Sequence, residues 1–146
     1  MKHEQKQNAF TLPVRIYYED TDAGGVVYYA NYLKFLERCR TEWLRVIGHE
    51  QADLLREPGI AFVVRSVALD YLKPARLDDL LTVSLEVERI TKSQIFFGQH
   101  IRRAMPDGAG EEELLSGRVQ IVCVNAAKMK ITSIPVELRT QLEALQ

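Results

Sequence analysis

The chain has 146 residues, 47% of them hydrophobic and 27% charged, with a formal net charge of -1. That length supports one domain with a real core, and near-neutral charge without a basic stripe argues against nucleic acid as the main partner. No apolar run approaches the roughly 18 residues that span a bilayer, and the polar first residues lack the apolar stretch of a secretion signal. The expectation is a single domain over residues 1–146, with a loose tail at about 1–10, working in the cytoplasm.

Residues 12–18 are β-branched and aromatic and read as a first strand. An acid- and glycine-rich loop follows. From 30 to 47, apolar residues fall at Tyr32, Leu33, Leu36, Cys39, Trp43, Leu44 and Ile47, the spacing of a helix that buries one face. Lys34, Glu37, Arg38, Glu42 and Arg45 occupy its other face, and Gly48 stops it. A short helix is expected at 50–56, ended by Pro58 and Gly59. Residues 61–72 are apolar on both faces, as in a central strand. Leu81, Val83, Leu85 and Val87 alternate with polar residues in a half-buried strand. Two more strands, 94–103 and 115–124, flank a turn-rich segment, and a last short helix starts after Pro135. Long strands joined by short turns pair antiparallel. With one long helix this makes an α+β domain whose sheet edges need cover, most simply from a second copy.

The loop reads Glu19-Asp20-Thr21-Asp22-Ala23-Gly24-Gly25-Val26-Val27-Tyr28-Tyr29-Ala30-Asn31. It delivers a carboxylate, permissive backbone and a helix N-terminus to one place. Attack on a carbonyl carbon needs all three: a negative group, close approach, and N–H donors for the oxyanion. Each residue also has a purely structural reading. Asp22 suits a helix cap or an Asx-turn, Gly24 and Gly25 suit a tight turn, and Tyr32 suits core packing. Asp20 and Asp22, two residues apart, could act as an acid/base pair, but Asp20 reads rather as ordering the loop, Asn31 as fixing the loop-to-helix junction, and Glu37 as a solvated helix acid. The two cysteines, Cys39 and Cys123, read as buried thiols with no zinc-type partners. His3, His49 and His100 have no triad context. No Gly-x-Ser-x-Gly and no phosphate-binding Gly-Lys loop is present.

Residues 14–28, with Arg40-Thr41-Glu42, Ala61-Phe62-Val63-Val64-Arg65, Pro74-Ala75-Arg76-Leu77-Asp78-Asp79 and Ile121-Val122-Cys123-Val124, resemble the hot-dog-fold acyl-CoA thioesterases. The likeness is to the YbgC type, the Tol-Pal-associated branch of the 4-hydroxybenzoyl-CoA thioesterase family, and runs from about 13 to 130. It implies a five- or six-stranded antiparallel sheet wrapped around one long helix, working as a dimer or a dimer of dimers with sites at the interface. It also implies hydrolysis of short- to medium-chain acyl-CoA without metal or cofactor.

On this likeness Asp22 is the catalytic carboxylate and the backbone N–H of Tyr29 the oxyanion donor. Many relatives carry histidine where Tyr29 stands, so a histidine role does not transfer, whereas a backbone role does. Gly24, Gly25, Val26, Tyr28 and Asn31 are expected around the substrate. Arg65, Lys92, Lys128 and Lys130 are candidates for the coenzyme A phosphates, each also readable as an ordinary surface charge. A rival expectation is a scaffold that holds acyl-CoA or acyl carrier protein and links lipid synthesis to the envelope.

Overall fold

A computed structural model describes residues 9–146; most of the expected N-terminal tail, with His3, lies outside the described residues. Along the chain come β1 (Phe10–Arg15), a 3-10 turn (Tyr18–Asp20), α1 (Asn31–Val46), α2 (Gln51–Arg56) and β2 (Ile60–Tyr71). Then follow β3 (Leu80–Ile90), β4 (Gln94–Ala104), β5 (Glu111–Asn125), β6 (Lys130–Ile131) and α3 (Val136–Leu145). The strands form one antiparallel sheet in the order β1-β3-β4-β5-β2, with β6 paired to β5. This is the α+β arrangement expected, with the long helix packed on one face of the sheet.

The helix forms because its apolar residues recur on one stripe. Tyr32, Phe35, Leu36, Cys39, Trp43 and Leu44 are buried. They meet the alternate residues Leu81, Val83, Leu85 and Val87 of β3 and Ile95, Phe97 and Ile101 of β4, all in one core. Trp43 sits edge-on to Phe97 with ring centroids 5.3 Å apart. Each such side chain contributes about 1.5–3 kcal/mol on burial. Cys39 and Cys123 are free, buried thiols, and loss of water pushes them up to about 12 and about 11. At the far end of α1, Leu138 and Leu142 of α3 enter the core. There Gln141 donates to the Ile47 carbonyl at 2.8 Å.

Polar atoms inside this core are satisfied. Gln99, fully buried on β4, accepts from Arg40 Nη1 at 3.0 Å and donates to the Leu36 carbonyl at 3.2 Å. Its concave-face neighbour two residues on is Ile101, and two beyond that is Arg103, at the end of the strand.

Four elements differ from expectation. The first strand starts at Phe10 and ends at Arg15, because Tyr17 and Asp20 close a turn through the Tyr17 N–H to Asp20 Oδ2 bond at 2.9 Å. The fourth long strand begins at Glu111, since Glu111, Glu112 and Glu113 pair with Ala104, Arg103 and Arg102. The two-residue β6 carries too little pattern to read. The largest correction concerns residues 61–72: β2 is an edge strand, paired only with β5 among the described residues. Its Val64, Val67 and Tyr71, with Leu72 just past its end, remain 41–53% exposed.

Candidate active site

The acid and glycine loop folds back as a miniature hairpin, with Thr21 bridged to Val27. The Asp22 N–H donates to the Val26 carbonyl at 2.9 Å, and the Gly25 N–H to the Asp22 carbonyl at 3.0 Å. Gly25 has φ +80°, which explains a glycine there. Asp22 Oδ1 accepts the Gly24 N–H at 2.8 Å, an Asx-turn. Its other oxygen has no hydrogen-bond partner among the described residues, and the residue is exposed. A Cβ on Gly24 would stand 3.2 Å from Asp22 Oδ1. The capping alternative for Asp22 does not hold, because the N-cap of α1 is Ala30 and has no side-chain cap.

Asp20 ties this hairpin to the helix. Its carbonyl accepts the Tyr28 N–H at 3.1 Å and Asn31 Nδ2 at 3.0 Å, while its carboxylate caps the 3-10 turn. The Asn31 N–H in turn binds the Tyr28 carbonyl at 2.8 Å. The N–H groups of Tyr29 and Ala30 have no acceptor among the described residues, and they precede the first turn of α1. An unpaired N–H at a helix start, aligned with the helix dipole, favours a developing negative charge. Tyr71 of β2 steadies this corner: its hydroxyl donates to the Tyr29 carbonyl at 3.2 Å, and its ring meets Tyr29 edge-on.

Other candidates fall in different surroundings. Val26 is half-buried and bridged to Arg76; Tyr28 and Tyr29 are exposed beside it. Tyr32 is core, 3% exposed, and its hydroxyl accepts the Ala75 N–H at 3.0 Å. Glu37 is exposed on α1, on the rim of a cavity of about 100 Å³ shared with Arg40, Trp43 and Phe62. Arg65 lies at the β2 bulge between Val64 and Ser66. Lys92 is in the β3–β4 turn, and Lys128 and Lys130 are in the β5–β6 hairpin. These three lysines stand at the opposite end of β3 from the Asp22 loop, roughly 30 Å away along an extended strand. His49 pairs with Gln141 at 2.6 Å and His100 with Glu113, both away from the loop.

One group escaped the sequence reading. Arg103 contacts Asp79, Glu112 and the Pro74 carbonyl beneath the loop. Only the block 74–79 hinted at it, since three-dimensional pairing across 24 to 29 residues leaves no local spacing to read.

The Thioesterase superfamily model matches residues 24–107, from Gly24 in the second half of the loop through α1, α2, β2, β3 and β4. The chain belongs to the thioesterase superfamily. It is 45% identical to the acyl-CoA thioesterase YbgC of Haemophilus influenzae over 139 residues, covering 95% of this chain and 98% of that one. A crystal structure of a probable thioesterase from Bartonella henselae is 33% identical with TM-score 0.77, covering 87% of this chain and 99% of that one. A 1,4-dihydroxy-2-naphthoyl-CoA thioesterase from Synechocystis shares the fold with TM-score 0.81 at 22% identity, covering 92% of this chain and 95% of that one. This thioesterase is therefore an enzyme of the YbgC type with the hot-dog fold.

Proposed function

We propose that this thioesterase hydrolyses acyl-CoA to a carboxylic acid and coenzyme A, with Asp22 as the acting carboxylate and the Tyr29 N–H as oxyanion donor. The observation that carries the reading is one loop presenting an exposed carboxylate, fixed through a single oxygen, together with the Tyr29 N–H, which has no acceptor among the described residues, just before a helix start. A thioester carbonyl is electrophilic and its thiolate leaves readily, so one carboxylate suffices for attack. Asp22 either adds to the carbonyl, expelling the thiolate and leaving a mixed anhydride for water to open, or removes a proton from the attacking water. In both routes negative charge grows on the carbonyl oxygen. A donor such as the Tyr29 N–H lowers that barrier by about 2.7–4 kcal/mol.

Gly24, Gly25, Val26, Tyr28 and Asn31 shape the substrate's approach, Asn31 by holding the junction. The working unit in this reading is a homodimer, or a dimer of dimers, joined at β2. The β2 edge, unpaired among the described residues, with exposed Val64, Val67 and Tyr71 and the adjoining Leu72, supports that, and it meets the loop through Tyr71. Lys92, Lys128 and Lys130 then reach the coenzyme A phosphates only from a second copy. The proposed substrates are short- to medium-chain and the proposed place of work the cytoplasm; separately, among the described residues no helix is long and apolar enough to cross a membrane. Thiol release from a panel of aliphatic and aroyl-CoAs tests this: turnover peaking at short to medium chains is expected, and no turnover of any acyl-CoA would overturn it.

A further inference from the structure

The Asp22 hairpin rests on the turn 74–79 at the entry to β3. The Val27 N–H donates to the Ala75 carbonyl at 2.9 Å, and Val26 is bridged to Arg76. On its other side Ala75 donates its N–H to Tyr32 of α1 at 3.0 Å. Ala75 is fully buried, so this single residue joins the loop that carries Asp22 to the helix start that carries the Tyr29 N–H. Any shift of the turn is therefore passed to both reacting groups.

The turn is short and exposed on its outer side, and one side chain clamps it from within. Arg103 Nη1 donates to Asp79 Oδ2 at 2.6 Å and reaches the Pro74 carbonyl at 3.3 Å. Those two partners are the two ends of the turn. Asp79 Oδ2 also accepts the Arg76 N–H at 2.8 Å, which closes the turn from inside. Arg103 Nη2 donates to Glu112 at 2.6 Å, and Glu112 is held in turn by Lys73 at 2.7 Å. The guanidinium side chain is 17% exposed, so its contacts are shielded far more than an ordinary surface pair. A planar fork can span a carbonyl and two carboxylates at once; a lysine ammonium is a single point.

The geometry points to Arg103 as a positioning residue that sets the Asp22 carboxylate against the Tyr29 N–H by clamping the turn 74–79. This rests on the assignment of Asp22 and Tyr29 above, and Arg103 itself touches neither group.

The test uses the full chain with Arg103→Lys, Arg103→Met, Asp22→Asn and the double variant Asp22→Asn/Arg103→Met. Steady-state hydrolysis of one good acyl-CoA is measured beside circular dichroism. Misplacing reacting groups costs rate rather than affinity, so Arg103→Met should lower kcat roughly 10–100-fold with KM within about twofold. Arg103→Lys, which keeps the charge and most of the packing, should lose about fivefold or more in kcat, and it carries the test if Arg103→Met does not fold. A residue acting through Asp22 should cost little further once Asp22 is gone, so the double variant should match Asp22→Asn within about twofold. A folded Arg103→Lys with undiminished kcat, or a full further loss in the double variant, would overturn the proposal and leave Asp22 standing. Full turnover by Asp22→Asn would instead remove the assignment of Asp22, and the positioning role with it.

Discussion

One hydrogen bond, from the Gly24 N–H to Asp22 Oδ1, decides how the carboxylate is offered. It fixes one oxygen and leaves the other open, so the group is oriented without being spent on structure. Gly24 belongs here for space, because an added Cβ would lie 3.2 Å from that same oxygen. Gly24→Ala should therefore push the carboxylate by a few tenths of an ångström, lowering kcat roughly tenfold while the fold holds. Gly25, at φ +80°, tests something else, since any side chain there strains the hairpin itself. An unaltered kcat in Gly24→Ala would mean that the Asp22 carboxylate does not need this placement.

At the scale of elements, the ion network under the turn 74–79 has a measurable signature. Hydrogen bonds from Arg103 and then Lys73 hold the Glu112 carboxyl at about 2, below its ordinary 4.5. A carboxyl whose folded value is depressed stabilises the fold fully above its unfolded value and loses that contribution as pH falls toward the folded one. Urea midpoints should thus fall between about pH 4.5 and pH 2, and Glu112→Gln should flatten that decline while lowering the midpoint at neutral pH. An identical acid profile in the variant would remove Glu112 from the account. The same network shows what sequence can and cannot reveal. Helix α1 was legible because its buried stripe repeats along one element, and the Asp22 loop because its acids and glycines are adjacent. Arg103 carries no local signal, since its partners Pro74 and Asp79 are distant in the chain. Glu111, Glu112 and Glu113 looked like loop, and they extend because Arg102 and Arg103 face them across the sheet.

For the whole molecule, the misread strand is the informative one. Apolar residues on both faces of 61–72 suggested a central position, yet β2 lies at the edge. Side-chain chemistry records where water is excluded, not which chain excludes it; in the proposed homodimer a second copy covers this edge, so it would read as central. Val67→Asp places a charge on that edge, so it should break the proposed dimer into monomers in sedimentation and cut turnover at least about tenfold with secondary structure retained. A fully active monomer would show the site complete in one copy. The proposed role of Asp22 in hydrolysis is tested by Asp22→Asn, which keeps size and the Gly24 hydrogen bond while removing the charge. Thiol release from the acyl-CoA that the unaltered enzyme turns over best should fall at least about a thousandfold, with the fold and oligomer unchanged. Turnover equal to that of the unaltered enzyme would contradict the account.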